Sequence, residues 1–302
     1  MAIIYFDQRV WIDLLKSNKG IKNYSDYQDI YNKVIETSNS EKHKYPVSAC
    51  HIMETQKRSD HKSRYELLKF ILETSKLNSI VTHSKILGLE VRNAILASLN
   101  IEMVDLSDKV FGNNLEHCFG QKNTSFKDIK DIDFLISIMD NPGRKSLVEE
   151  TNERDKKLAE SIEQFRVKIL DHPDKHKRKD IAEAYEHYHH YSKILTEEMM
   201  KLGLFFEDIE HIFEDKTTYQ SFWINAPSIH IFQIMDYARN SNISRKVRPN
   251  DLYDLQCISI ASAYCDIVVT EREWANILNQ NNIGELYKTE IVYKIEELRN
   301  LL

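Results

Sequence analysis

Apolar positions along this chain fall into two kinds of run. Ile3-Ile4-Tyr5-Phe6 and Ile267-Val268-Val269 are short, continuous and rich in β-branched or aromatic residues, and they read as buried parallel strands. Elsewhere apolar residues recur at helical spacing. The first strand, 3–6, delivers Asp7 at its C-terminal end, and a helix beginning at Val10 puts Trp11, Leu14 and Leu15 on one side. The pattern then predicts a helix over 24–36 and a short strand over 45–49, with Ser48 placed to cap the next helix. That long helix, over 51–74, has Ile52, Leu67, Leu68, Phe70 and Ile71 as its apolar positions and Glu54 in its first turn. An extended piece over 78–81 and a helix over 86–99 complete this part.

From about 105 to 245 strand signals become rare. Helical patterns cover 133–139, 145–169, 179–202, 205–213 and 229–238, with Pro142-Gly143, Pro173 and Pro227 as sparse breakers. This stretch reads as an insertion, because the strand–helix alternation resumes beyond it. There, Pro249 stops any incoming helix and Asn250 is a natural N-cap. Asp251 and Asp254, three apart, share one face of the first turn. Ile258, Ile260, Ala261 and Ala263 give a small apolar helix body that can pack closely on a sheet. The strand 267–269 comes next, with Thr270 and Glu271 at its end. A helix to about 279, a last strand over 289–293 and a closing helix over 295–302 finish the chain. The expected fold is α/β: a short, mostly parallel central sheet flanked by helices, with a long all-helical insertion. Residues 1–104 and 245–302 form the discontinuous sheet domain, and 105–244 the insertion.

Composition narrows the classes. A length of 302 residues suits one domain with a large insertion, and seven glycines and five prolines favour helices over tight turns. The formal net charge of −6 advertises no global basic field, so any nucleic-acid contact must rest on a local patch. The four cysteines (Cys50, Cys118, Cys257, Cys265) lack CxxC spacing and an accompanying His pair, and are expected to be reduced, buried or semi-buried thiols of a cytoplasmic protein and not a zinc site. No basic n-region precedes the first strand, and no apolar run approaches the ~20 residues that span a bilayer, so neither a signal peptide nor a membrane partner is expected.

Candidate chemistry lies in the acids at strand ends and helix starts: Asp7, Glu54, Asp251, Asp254 and Glu271, with Asp266 and Glu273 nearby. Ligands of open parallel sheets bind outside the carboxyl ends of the strands, where Asp7 and Glu271 fall. Crowded carboxylates repel by about 4 kcal/mol per pair at ~4 Å and an effective dielectric near 20. A divalent cation relieves that, and Mg²⁺ or Mn²⁺ prefer such oxygen ligands. Asp266 precedes its strand and is expected at the opposite end of the sheet in a structural turn. No G-x-S-x-G, Walker loop or dinucleotide glycine fingerprint is present.

Four places resemble a PIN-like domain nuclease: Ile4-Tyr5-Phe6-Asp7-Gln8-Arg9-Val10-Trp11-Ile12-Asp13-Leu14, Ser48-Ala49-Cys50-His51-Ile52-Met53-Glu54-Thr55, Asn250-Asp251-Leu252-Tyr253-Asp254, and Tyr264-Cys265-Asp266-Ile267-Val268-Val269-Thr270-Glu271. The resemblance covers roughly residues 1–100 and 245–302. It implies a Mg²⁺- or Mn²⁺-dependent endonuclease, foremost an endoribonuclease, with Asp7, Glu54 and Asp254 as metal ligands and Asp251 a near-equal rival to Asp254. Where the family carries Thr-x-Asp, this chain has Thr270-Glu271-Arg272, so that Glu271 or Glu273 would substitute. RNA or single-stranded DNA is the implied substrate, with a DNA flap as a weaker option. By association, a chain of this kind belongs with prokaryotic toxins or anti-phage systems. The alternative is a catalytically degenerate PIN-like fold serving as a binding or scaffold subunit.

Other residues invite chemistry. Arg245, Lys246 and Arg248 immediately precede the acidic helix and are the candidate nucleic-acid contacts. Lys175-His176-Lys177-Arg178-Lys179 is a solvated helix start or a second phosphate-contacting patch. His187 and His190, with Glu183, share a helix face and invite a zinc site, but an exposed or partner-facing aromatic patch is the commoner meaning of such a run. The insertion is therefore a candidate surface for a protein partner. Tyr219, Phe222 and Trp223 could stack on bases, although core packing is their commoner fate.

Overall fold

The computed structural model describes residues 1–121, 129–141, 143–174, 177–178, 181–182, 191–242 and 245–302. Its strands are β1 (Ala2–Phe6), β2 (His43–Lys44), β3 (Asn78–Ile80), β4 (Phe111–Asn113), β5 (Ile267–Val269) and β6 (Glu290–Val292). Its helices of eight residues or more are α1 (Gln8–Asn18), α2 (Gln28–Asn39), α3 (Ala49–Gln56), α4 (His61–Ser75), α5 (His83–Ser98), α6 (Ile132–Met139), α7 (Arg144–Leu170), α8 (Ser192–Leu202), α9 (Lys216–Ile224), α10 (Pro227–Ser241), α11 (Asp251–Tyr264) and α12 (Arg272–Gln280).

The centre is a parallel sheet in the order β2-β1-β5-β6. Ile4 lies opposite Ile267, Tyr5 opposite Val268 and Phe6 opposite Val269, so the two ends of the chain pair in its middle. Side chains alternate across these strands. Ile4, Phe6, Ile267 and Val269 join one core with Trp11, Leu14, Val34, Leu67, Leu68 and Ile71. Tyr5 and Val268 join another with Ile260 and Ala261 of α11. Burial on both faces is why these strands are apolar throughout.

Residues 105–244 share these cores. Cys118 and Ile136 belong to the cluster around Phe6, and Ile231 and Met235 of α10 pack with Leu255, Ile258 and Trp274. β4 pairs antiparallel with β3 in a second, two-stranded sheet. Phe222 and Trp223 are buried with Val91, Ile95 and Leu195, the core fate rather than a stacking platform.

Several expectations change. The 51–74 helix is two helices, because Asp60 accepts from Ser63 N and starts α4 afresh. α3 begins at Ala49, so Glu54 lies beyond its first turn. The strand over 45–49 is replaced by β2, with only an isolated bridge from Val47 to Ser79. Asn250 does not cap with its side chain; the Asp251 carboxylate accepts from Arg248 N at 2.9 Å instead. Cys50 and Cys257 are disulfide-bonded, whereas Cys118 and Cys265 are free and buried. The expectation of four thiols failed because only the fold brings residues 207 positions apart face to face. Asp266 accepts from Ile3 N at 2.7 Å, a structural bond at the opposite sheet end. Among the described residues, no helix is long and apolar enough to cross a membrane. Glu183, His187, His190, Lys175, His176 and Lys179 lie outside the described residues.

Candidate acidic site at the sheet's carboxyl edge

The parallel register builds this site. Asp7 N donates to Val269 O at 2.9 Å, the last rung between β1 and β5. That pairing sets Asp7 beside Thr270, whose Oγ1 donates to Asp7 Oδ2 at 3.0 Å. Asp7 makes no side-chain cap on α1, so its carboxylate is free to face the sheet edge.

α3 is locked to the same edge. Ser48 N donates to His51 Nδ1 at 3.1 Å, and His51 N donates to Ser48 Oγ at 3.4 Å. With Nδ1 accepting, the neutral ring carries its proton on Nε2 and donates to Phe6 O at 2.7 Å. Burial holds this imidazole down near 4, in its neutral form. Glu54 lies one turn after Cys50, which is bonded to Cys257 of α11. α11 in turn carries Tyr253 and Asp254, and Trp274 Nε1 of α12 donates to Asp254 Oδ2 at 3.1 Å.

Asp7, Glu54 and Asp254 therefore line one small pocket with Tyr5, Gln8 and Tyr253. Its volume is about 10 Å³, room for about one water molecule. The three acids feel one another. Burial, then the charge of Glu271, pushes Asp7 up to about 6 against the Thr270 bond. Burial, then Asp7, pushes Glu54 up to about 8, with Lys57 opposing. Asp254 is raised well above the carboxylate range by burial and by Asp7 and Glu54. Gln8 Nε2 donates to Thr55 at 2.7 Å, while its buried Oε1 has no partner.

Asp251 stands apart from this set. It is buried and accepts from Arg245 Nη2 at 2.7 Å. Arg245 also donates to Glu273 at 2.7 Å and lies over the Trp274 ring. Glu271 is exposed at the start of α12, yet close enough to raise Asp7 and Glu54. Arg245, Lys246, Arg248 and Arg272 line an open cleft of about 960 Å³, with Lys246 and Arg248 exposed.

The donor set suits a hard cation: carboxylates whose charge is uncompensated, beside an orphaned amide oxygen. Among the described residues, no three His, Cys, Asp or Glu side chains are already spaced as a metal cluster. Carboxylates that repel and are held by Thr270 and Trp274 would have to draw together on a cation. Sequence reasoning did not find Gln8, Lys57, Trp274 or the holding role of Thr270. The β1–β5 register would have found Thr270; the others depend on helix packing. No family model, curated protein or solved structure matches this chain.

Proposed function

We propose that this protein is a Mg²⁺- or Mn²⁺-dependent nuclease acting on RNA. The observation that carries the reading is the gathering of Asp7, Glu54 and Asp254, from three distant parts of the chain, into one pocket at the carboxyl edge of a parallel sheet. A fold that raises three acids by burial first, and then by the charge of neighbouring carboxylates, holds a site that a divalent cation stabilises. Asp7, Glu54 and Asp254 would hold the cation, with Gln8 Oε1 as a neutral fourth oxygen. Such an ion supplies Lewis-acid stabilisation of phosphoryl oxygens and lowers the pKa of an attacking water. Thr270 and Trp274 orient two of the carboxylates. Arg248, Lys246 and Arg272 provide positive charge for the flanking backbone, while Arg245 is engaged by Asp251 and Glu273. The PIN-like resemblance of the same segments agrees with this reading.

The test compares wild type with Asp7→Asn and Asp254→Asn on single-stranded RNA and DNA with Mn²⁺. RNA cleavage in wild type and its loss in both variants is the expected result. Equal activity in all three, or none in any, sinks it. A second reading, a degenerate PIN-like scaffold, draws on the spacing of the acids and on Arg272 lying over Tyr293. It predicts no calorimetric Mn²⁺ binding.

A further inference from the structure

Asp155 is a buried acid outside the three-carboxylate site. Asp155 sits within α7, and its side chain is 6% exposed. Burying a carboxylate is costly unless it is paired, and this one is buried beside the rim of a pocket that already holds three acids. Arg154 of the same helix lies 3.4 Å from Asp155 Oδ1, and two groups from other elements meet Asp155 Oδ2. Lys57 Nζ donates to Asp155 Oδ2 at 3.1 Å, and Tyr253 OH donates to the same oxygen. Lys57 ends α3, three residues after Glu54, and its ammonium lies 4.2 Å from the centre of the Tyr253 ring. Tyr253 adjoins Asp254 and lines the acid pocket. An ammonium and a phenol converging on one oxygen form a donor set suited to an anionic phosphoryl oxygen.

We infer that Lys57 and Tyr253 form a phosphate subsite next to the three acids, and that Asp155 occupies it as a built-in anion until the phosphodiester of a single-stranded RNA displaces it. This rests on the nuclease reading and adds to it both a substrate-contacting pair and a self-blocking contact. α7 suits the role. Over 27 residues it buries only Asp155, Ala159, Arg166 and Ile169. Polar contacts tether it: Arg144 to Gln56 O, Glu163 to Val247 N at 3.0 Å, and Arg166 to Asn242 O at 3.0 Å. They lay α7 along the ends of α3 and α11 that carry Glu54 and Asp254. An element held by few apolar contacts opens at low free-energy cost.

The experiment measures anisotropy of a 5′-fluorescein 2′-O-methyl RNA 12-mer, which cannot be cut by 2′-hydroxyl attack, in EDTA. Asp155→Asn is expected to bind about tenfold tighter than wild type, the order of one released charge pair. Adding Lys57→Ala to that variant is expected to reverse the gain. If Asp155→Asn binds no tighter, or the double variant keeps the gain, the inference falls. Should Asp155→Asn misfold by thermal melt, Lys57→Ala alone decides. It is expected to lower RNA affinity and reduce the salt slope by about one. Unchanged RNA affinity in that variant also overturns the inference. Failure of the nuclease reading looks different: Mn²⁺ does not bind and RNA is not cut, while the metal-free binding pattern persists.

Discussion

Trp274 illustrates how one side chain serves both core and site. Its ring is buried among Ile231, Leu255 and Leu278, while its indole N–H reaches Asp254. A buried indole N–H needs a partner, and here the partner is a proposed ligand. Trp274→Phe keeps most of the packing and removes the donor. Groups that orient a ligand are typically worth 10–100-fold in metal affinity. Titration calorimetry with Mn²⁺ is therefore expected to give about tenfold weaker binding with a thermal midpoint within a few degrees of wild type. Unchanged affinity would make the bond incidental. Asp7, Asp254 and Glu54 were legible as candidates because each sits at a strand end or in a helix flanked by apolar periodicity. Asp251 was equally legible, yet it pairs with Arg245 while Asp254 lines the pocket, a division set by what packs against that turn and not by the spacing of the two acids.

Elements of this molecule are pinned to one another at single residues. Glu90 of α5 is fully buried and accepts from Ser228 N at 3.1 Å, Ile229 N at 3.2 Å and Tyr264 OH at 2.7 Å. It thus closes the start of α10, where the first N–H groups have no helical acceptor. Glu90→Ala leaves three donors unsatisfied and is expected to cost about 3–5 kcal/mol in urea unfolding. A cost below about 1 kcal/mol would mean that water replaces the carboxylate. The Cys50–Cys257 bridge pins α3 to α11 across 207 residues of sequence. Loop-closure entropy for a loop of that size is worth about 5 kcal/mol in the chain-entropy picture. Reduction with dithiothreitol should lower the thermal midpoint, and the Cys257→Ser protein should not respond. Equal midpoints with and without reductant would mean that the two sulfurs are thiols in solution.

At the scale of the whole molecule, buried titrating groups set opposing pH slopes. His51 and His83 are held near 4 by burial, below their ordinary 6.5. The unfolded chain then binds more protons, so stability is lost as pH falls from about 6.5 to 4. Asp7 and Glu54 are raised by burial, from 3.8 to about 6 and from 4.5 to about 8. Here the folded chain binds more protons, so stability is lost as pH rises between those limits. Above pH 6.5 the histidines no longer offset the acids. In chelator, the unfolding free energy is expected to fall between pH 6.5 and 8, on the order of 2 kcal/mol from Glu54. Added Mn²⁺ is expected to abolish that fall. A flat chelated profile, or one that Mn²⁺ leaves alone, would separate these acids from metal binding.

The apolar runs determined β1 and β5, and with them the parallel sheet and the strand-end position of Asp7, because a strand buried on both faces must be apolar at every position. Helical spacing likewise determined most of α1, α4, α5 and α7. Local sequence could not determine what distant segments do to one another. The Cys50–Cys257 bond, the Trp274 bond to Asp254 and the pairing of Asp155 with Lys57 and Tyr253 join residues 20 to 207 positions apart. Such contacts exist only after helices have packed on the sheet. The side chains that make them look like ordinary core or surface residues until their partners arrive, so tertiary structure alone decided them.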